Sequence, residues 1–296
     1  MTGARHLAGA AVTGAGLAWA AGCAALHRRA FGSLRPDSRE PIGDPPPAAL
    51  RVPHQRLEVR TADGLRLLAW HLPGTLPAVV VVSPGNRGRA GDVLEVAAAL
   101  RQEGFHVVAH GWRGTAGCDP APHTLGVHER RDLVAVLDAV ERRLPRLPVG
   151  VLGFSMGGAV SIDVAAGDLR LRAVCADSAF SDPQAVLGEG VRRVLRIPGP
   201  LLTAPVAAAL ALRTGARLGS FSPLRRVGEI APRPLLLVHG EADRSVPAEH
   251  SRRLHRAAGV SSDLWLLPGV GHVGAFAHHR DEYLRRVGGF LESSLL

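Results

Sequence analysis

A short apolar segment followed directly by a glycine-flanked serine constrains the fold of this chain more than any other feature. Residues 149–154 are apolar, Ser155 lies between Gly153 and Gly157, and an alanine-rich stretch of helical character follows. A serine on a sharp turn between a strand and a helix lies in strained backbone, so its neighbours must be small. Such a turn exposes the hydroxyl and directs the first N–H groups of the helix toward a developing negative charge. The sequence therefore predicts a strand, a nucleophilic turn and a helix.

Segments with strand and helix character alternate on both sides of this turn. Two alternating segments, 55–61 and 65–72, flank the turn signal Ala62-Asp63-Gly64 and predict a β-hairpin. Further strands are predicted at 78–82, 105–110, 149–154, 171–176, 235–239 and 264–267, and helices at 92–102, 124–144, 156–166 and 276–291. This alternation predicts an α/β fold with a mostly parallel sheet covered by helices on both faces and the hairpin at one edge.

The composition divides the chain into three parts. Residues 7–26 are apolar and free of charge, and twenty residues are the length at which a helix crosses the hydrocarbon core of a bilayer. We therefore predict a membrane anchor or signal segment over 1–31. Residues 32–53 contain six prolines, which is typical of an extended linker. The folded α/β domain is predicted over 54–296.

The apolar N-terminal segment has several interpretations. A single uncleaved anchor in the cell membrane is favoured, because Arg28 and Arg29 oppose translocation of the flank that follows. Small residues at 19–22 also fit a secretory signal, and Ala20-Ala21-Gly22-Cys23 resembles a lipoprotein signal. An alanine-rich soluble helix is the simpler alternative. The segment does not determine on which side of the membrane the domain lies.

The formal net charge of +9 reflects a compositional bias that runs through the whole chain. All 35 basic residues are arginine, they are scattered, and aromatic residues make up only 4% of the sequence. A nucleic-acid-binding protein would instead cluster its basic residues and supply aromatic side chains for stacking, so the composition argues against that partner. Attraction to anionic lipid headgroups is a simpler use of the charge.

Neither the cysteines nor the histidines have the spacing of a metal site. The three cysteines, at positions 23, 118 and 175, are too scattered for a disulfide framework or a metal cluster. His278 and His279 are adjacent and would point to different sides of a helix, and no carboxylate spacing completes a site with His272. We predict no metal and no cofactor.

Residues 184–230 interrupt the alternation of strands and helices. This stretch is rich in Leu, Ala, Val and Arg, has helical propensity, and is broken at Ile197-Pro198-Gly199-Pro200. It is too long for a simple connection between two strands. We interpret it as a helical lid over the carboxyl edge of the sheet, where ligands bind in open α/β folds. The alternative is an extra packing layer with no role in substrate choice.

Two later strands are followed by residues that can activate a serine. A serine hydroxyl needs a base, and the base is a histidine oriented by a carboxylate. Asp243 follows the strand at 235–239, and His272 lies in a glycine-containing loop after the last strand. The order Ser155, Asp243, His272 is nucleophile, acid and base, as in folds built round a nucleophile elbow. Asp177, after the strand at 171–176, is an alternative acid.

An acyl-transfer site also needs two backbone donors for the oxyanion. We predict that one is the N–H of Met156, directly after the nucleophile. The other is expected in the loop Ser83-Pro84-Gly85-Asn86-Arg87-Gly88, and we place it at Asn86. Gly85 would let this backbone approach a substrate closely. The alternative for Asn86 is an ordinary turn residue.

The domain from about 55 to 291 resembles the α/β-hydrolase superfamily, and within it bacterial serine hydrolases of the serine-aminopeptidase-like, acyl-CoA-thioesterase-like and dienelactone-hydrolase-like groups. The matching segments are Gly153-Phe154-Ser155-Met156-Gly157-Gly158, Trp112-Arg113-Gly114, Thr124-Leu125-Gly126-Val127-His128-Glu129 with Asp132-Leu133, Phe221-Ser222-Pro223, His239-Gly240-Glu241-Ala242-Asp243 and Gly271-His272. The resemblance implies an eight-stranded sheet and a Ser155/Asp243/His272 triad without a cofactor. Two positions depart from the family pattern, Pro84 in place of histidine and Gly111 in place of an acidic residue.

These observations lead to one expected function and two alternatives. The leading hypothesis is a membrane-associated serine hydrolase that cleaves an ester, thioester or small amide through an acyl-enzyme on Ser155. Its expected partner is a small-molecule acyl substrate, which the apolar lid suggests is lipophilic. Peptidase or acyltransferase activity on the same triad is one alternative, and a non-catalytic scaffold is another. Neither the oligomeric state nor the identity of the substrate follows from the sequence.

Overall fold

The computed structural model describes residues 52–195 and 200–296. The predicted anchor over 1–31 and nearly all of the predicted linker over 32–53 lie outside the described residues. Within the described ranges, no helix is both long enough and apolar enough to cross a membrane.

Eight strands form one sheet, and the strand order is β1-β2-β4-β3-β5-β6-β7-β8. The strands are β1 (Gln55–Arg60), β2 (Arg66–Leu72), β3 (Val79–Ser83), β4 (His106–His110), β5 (Val149–Phe154), β6 (Leu171–Asp177), β7 (Leu235–Gly240) and β8 (Ser262–Leu267). β1 and β2 pair antiparallel, β2 joins β4 antiparallel, and every other pairing is parallel. The predicted sheet, with its hairpin at one edge, is confirmed.

The α-helices of the described ranges follow the strands in sequence. They are α1 (Leu94–Gln102), α2 (Glu129–Arg143), α3 (Met156–Gly167), α4 (Pro183–Leu195), α5 (Pro200–Thr214), α6 (Pro223–Arg226), α7 (Glu249–Ala258), α8 (Ala275–His278), α9 (Arg280–Tyr283) and α10 (Gly289–Leu295). A π-helical turn at Leu284–Gly288 connects α9 to α10. Short 3-10 turns lie at Ala90–Val93, Leu218–Ser220, Val227–Ile230 and Gly259–Ser261. The four helices α4 to α7 all lie in sequence between β6 and β8.

The central strand β3 shows why the sheet is covered on both faces. All five of its residues are buried, as expected for a parallel strand between two helical layers. Val79 and Val81 pack into one core with residues of α2 and α3. Val80 and Val82 pack into a second core with residues of α1 and α10. The sheet therefore lies between two apolar layers, and its carboxyl edge remains for loops that carry polar side chains.

The helix predicted over 124–144 begins only at Glu129. The fully buried carboxylate of Glu129 accepts hydrogen bonds from the N–H of Thr124 at 2.8 Å and from the N–H of Gly126 at 2.8 Å. Leu125 and Gly126 both have positive φ, at 54° and 101°. A buried carboxylate thus holds the preceding residues in a loop, although their apolar side chains continue the helical pattern.

The first turn of α3 depends on the absence of a side chain at Gly157. A Cβ added there would lie 2.4 Å from the carbonyl oxygens of both Ser83 and Pro84. We predict that Gly157→Ala lowers the free energy of unfolding by about 3 kcal/mol or more, because backbone atoms must move to admit the methyl group. Urea unfolding of the full chain measures this difference.

Gly289 provides the matched control, since it is also helical and a Cβ there would have no neighbour within 4 Å. Gly289→Ala should raise the free energy of unfolding by roughly 0.5–1 kcal/mol, because alanine favours the helix. Equal effects of the two substitutions would contradict the close packing inferred at Gly157.

Candidate active site

Ser155 occupies a strained turn between β5 and α3. Its φ of 52° and ψ of −116° are unusual for a residue with a side chain. A Cβ at Gly153 would lie 2.5 Å from the backbone of Gly157, so the turn closes only because glycine stands at that position. The N–H of Ser155 donates to the carbonyl of Asp177 on β6 at 2.7 Å. The predicted strand, turn and helix are therefore present in the order that the sequence suggested.

The structure brings Ser155, His272 and Asp243 together. The Nε2 atom of His272 lies 3.0 Å from the Ser155 hydroxyl, and its Nδ1 atom lies 2.6 Å from Oδ2 of Asp243. An ionised carboxylate only accepts, so Nδ1 carries the proton that binds Asp243. In the neutral imidazole, Nε2 is then the acceptor that faces the hydroxyl. This is the arrangement that a serine nucleophile and its general base require.

Asp243 is held as an anion by its surroundings. The N–H groups of Ser245 and Val246 donate to its Oδ1 at 2.7 and 2.9 Å. Burial alone would raise the pKa of Asp243, but hydrogen bonds from His239, His272 and the Val246 N–H outweigh burial and hold the pKa well below its usual range. Asp243 therefore carries a negative charge at neutral pH. That charge can orient His272 and stabilise its protonated form.

Two backbone N–H groups near Ser155 have no acceptor within the described part of the chain. The N–H of Met156 is the first of α3, and first-turn N–H groups have no partner inside their own helix. The N–H of Asn86, in the exposed loop after β3, has no hydrogen bond among the described residues. A Cβ at Gly85 would lie 3.6 Å from that of Ser155, so the loop lies against the nucleophile. Both predicted donors thus belong to segments that border Ser155.

Asp177 does not hydrogen-bond to His272, although the sequence allowed it as an alternative acid. Its Oδ1 accepts from the hydroxyl of Ser178 at 2.8 Å, and its Oδ2 has no partner among the described residues. The hydroxyl of Ser178 in turn accepts from the N–H of Val273 at 3.1 Å. Burial raises the pKa of Asp177 to about 6. Asp177 and Ser178 therefore link the backbone of Ser155 to the loop that carries His272.

Sequence reasoning gave no role to Ser178 or to Trp112, and both contact the site. Ser178 follows the end of a strand, but nothing in the sequence shows that its hydroxyl reaches Val273. The indole N–H of Trp112 donates to the carbonyls of Pro84 and Gly85, at 2.9 and 3.0 Å. Only the match of Trp112-Arg113-Gly114 to a family motif signalled that this tryptophan matters.

A second set of hydrogen-bonded serine, histidine and carboxylate side chains lies elsewhere in the domain. The hydroxyl of Ser181 is 2.8 Å from Nδ1 of His250 on α7, whose Nε2 is 3.2 Å from Glu189 on α4. Ser181 is fully buried, and its own N–H also donates to Nδ1 at 3.2 Å. These hydrogen bonds connect α4 to α7 and to the segment after β6. This set presents no hydroxyl to a substrate.

Comparison with known proteins identifies relatives of this chain. A family model described as serine aminopeptidase, S33, matches residues 74–213, a span that includes Ser155 and ends before Asp243 and His272. An uncharacterized protein of Mycobacterium tuberculosis is 30% identical over 242 residues, or 78% of each chain. The monoglyceride lipase of Rattus norvegicus is 34% identical over 120 residues, which cover 39% of this chain and 40% of the lipase.

Among solved structures, an esterase from Pyrococcus furiosus superposes with a TM-score of 0.72. The superposition covers 87% of this chain and 99% of the esterase, at 22% sequence identity. At this identity the similarity shows a shared fold.

The raised pKa of Asp177 predicts how stability depends on pH near the site. The carboxyl is neutral in the folded protein below about pH 6, whereas in the unfolded chain it ionises near 3.8. Its folded pKa is raised, so the contribution to stability is complete below pH 3.8 and is lost as pH rises through 6. Relative to Asp177→Asn, the wild type should lose on the order of 2–3 kcal/mol of unfolding free energy between pH 4 and pH 7.

Urea unfolding of the two proteins at several pH values checks this expectation. The difference between their unfolding free energies isolates Asp177, because every other titrating group is common to both. Parallel curves across this range would show that the Asp177 carboxyl is not held neutral.

Proposed function

The chain belongs to the α/β-hydrolase superfamily, and we propose that it is a serine hydrolase which cleaves an ester, thioester or small amide through an acyl-enzyme on Ser155. One observation carries this proposal. A serine on a strained turn is hydrogen-bonded to a histidine at 3.0 Å, and that histidine is bonded to a carboxylate at 2.6 Å. The three residues come from loops after β5, β7 and β8, and together they supply a nucleophile, its base and an orienting anion.

In the proposed acylation, the Ser155 oxygen attacks the acyl carbonyl carbon while Nε2 of His272 accepts the hydroxyl proton. The negative charge moves onto the carbonyl oxygen, which accepts hydrogen bonds from the N–H groups of Met156 and Asn86. The Asp243 carboxylate stabilises the imidazolium. When the tetrahedral intermediate collapses, the bond to the leaving group breaks and His272 gives its proton to that group.

Deacylation repeats the same steps with water. His272 takes a proton from a water molecule, whose oxygen attacks the acyl carbon bound to Ser155. The ester bond to Ser155 breaks, the proton returns to the serine oxygen, and the carboxylic acid leaves. Every proton transfer in this cycle uses a group of the chain or water, so the proposed chemistry needs no cofactor.

We further propose that the substrate is a small molecule with an apolar acyl chain. The groove beside α4 and α5 is lined by small and apolar residues, among them Ala185, Ala207 and Leu224, and also by polar and charged ones, among them Glu189, Arg192 and Arg253. These helices fall within the stretch that we propose as a lid. A relative over part of the chain is a monoglyceride lipase. A membrane anchor over 1–31 would place the domain beside lipophilic esters. The peptidase alternative draws its support from the description of the matching family model.

A covalent probe tests the nucleophile directly. A fluorophosphonate should label the full-length protein once per chain, and Ser155→Ala should abolish the labelling because the activated hydroxyl is lost. Ser181→Ala is the matched control: Ser181 also contacts a histidine but is fully buried, so labelling should persist. A folded wild type that is not labelled, or labelling that survives in Ser155→Ala, would contradict the proposal. Hydrolysis of p-nitrophenyl esters compared with aminoacyl anilides then separates esterase from peptidase activity.

The role of Asp243 predicts a specific loss. Asp243→Asn removes the charge that fixes the tautomer of His272, so kcat should fall by roughly 10³–10⁴-fold while KM changes little. Glu241→Gln on the same loop is the matched control, because its carboxylate pairs with Arg252 at the surface. Steady-state kinetics on one ester measure both variants. A fall of less than tenfold for Asp243→Asn would rule out Asp243 as the orienting acid.

A further inference from the structure

The second oxyanion donor is a backbone N–H in a loop, and its direction is set by one peptide plane. In a trans peptide the C=O and the N–H point to opposite sides. The N–H of Asn86 therefore points away from whatever holds the carbonyl of Gly85. Identifying the groups that hold this carbonyl identifies the part of the protein that aims the donor.

Two N–H groups of the described residues donate hydrogen bonds to the carbonyl of Gly85. The indole N–H of Trp112 donates to it at 3.0 Å and also to the carbonyl of Pro84 at 2.9 Å. The backbone N–H of Gly88 donates to the same oxygen at 3.0 Å and closes a tight turn with Asn86 as its second residue. Of these two donors, only the indole comes from outside the loop.

Trp112 is itself held firmly. It is fully buried and packs edge-to-face against the ring of His110, with 4.6 Å between ring centroids. Nδ1 of His110 lies 3.2 Å from the carbonyl of Gly111, to which it donates, so Nε2 accepts from the hydroxyl of Ser83 at 2.9 Å. Burial lowers the pKa of His110 to about 4, which keeps the ring neutral. Ser83 directly precedes Pro84, so this cluster holds the start of the loop.

We propose that Trp112 is a positioning residue for the oxyanion hole: its indole N–H fixes the Gly85–Asn86 peptide so that the Asn86 N–H faces the substrate beside Ser155. The inference rests on the proposed serine-hydrolase function. The N–H of Asn86 has no acceptor among the described residues, and Gly85 lies close to Ser155, as such an orientation requires.

Removing the indole donor should affect the transition state more than substrate binding. Loss of one oxyanion donor costs about 10²–10³-fold in kcat. In Trp112→Phe the N–H of Gly88 still binds the Gly85 carbonyl, so the Asn86 N–H should point toward the substrate during only part of the time. We expect kcat for an ester to fall by about 10–100-fold, with KM within about twofold of the wild type.

The experiment compares Trp112→Phe with Trp70→Phe in the full-length protein, using a p-nitrophenyl ester and the corresponding thionoester. The indole N–H of Trp70 is buried without a partner among the described residues, so its loss should leave kcat unchanged. Sulfur accepts hydrogen bonds poorly, so an intact oxyanion hole favours the oxoester. The ratio of oxoester to thionoester kcat should therefore fall about tenfold in Trp112→Phe and stay constant in Trp70→Phe.

Asn86→Pro provides a second, independent variant. Proline suits the second position of a tight turn and deletes the N–H in question together with the side-chain amide, and Asn86→Ala, which loses the amide but keeps the N–H, is its control. Asn86→Pro should also lose the preference for the oxoester, and Trp112→Phe added to it should have little further effect on that ratio. A wild-type ratio in either Trp112→Phe or Asn86→Pro would overturn the proposal, so Asn86→Pro can still overturn it if Trp112→Phe does not fold. Hydrolysis that persists in Ser155→Ala would instead overturn the serine-hydrolase function.

Discussion

The positive φ of Ser155 is the constraint on which the rest of the site depends. A non-glycine residue in this conformation costs about 1–3 kcal/mol and persists only where its surroundings over-determine it. Here the Ser155 N–H is bound to the carbonyl of Asp177, and the turn closes on glycines at 153 and 157, which have no room for a side chain. The helix α3 that follows is buried along nearly its whole length. The packing of α3 and of the turn around it therefore holds Ser155 in this strained conformation.

Two further residues with strained backbone are connected to Ser155 through hydrogen bonds. Ser178 and Val273 also have positive φ, at 56° and 54°. Asp177 binds Ser155 through its backbone carbonyl and binds Ser178 through its carboxyl, and Ser178 binds Val273, which directly follows His272. The dipeptide Asp177-Ser178 at the end of β6 thereby connects by hydrogen bonds to Ser155 on one side and to the residue after His272 on the other. Because the carboxyl ends of parallel strands meet at one edge of the sheet, residues that are far apart in sequence can be connected there by direct hydrogen bonds.

Local pattern predicted the strands, the turn at Ser155 and the order of the three candidate catalytic residues. Each of these is encoded within a few neighbouring residues, by alternation, by glycines or by position after a strand. The start of α2 at Glu129 was missed, because a buried carboxylate holds residues whose apolar spacing reads as helix. The contacts of Trp112 and Ser178 were missed as well. They join residues 27 to 95 positions apart, and such a separation leaves no periodic trace in the sequence.

The two serine–histidine–carboxylate chains of this domain show why residue types alone do not define a site. Ser181, His250 and Glu189 repeat the composition of Ser155, His272 and Asp243, with a similar hydrogen bond to the serine. The His272 side chain is 29% exposed to solvent and the His250 side chain only 2%, while Ser155 is 9% exposed and Ser181 is 0% exposed. Nδ1 of His250 already accepts from a backbone N–H, but within the described residues Nε2 of His272 faces only the hydroxyl. What suits Ser155, His272 and Asp243 to the proposed catalysis is therefore their place at the carboxyl edge of the sheet, where the side chain of His272 is partly exposed.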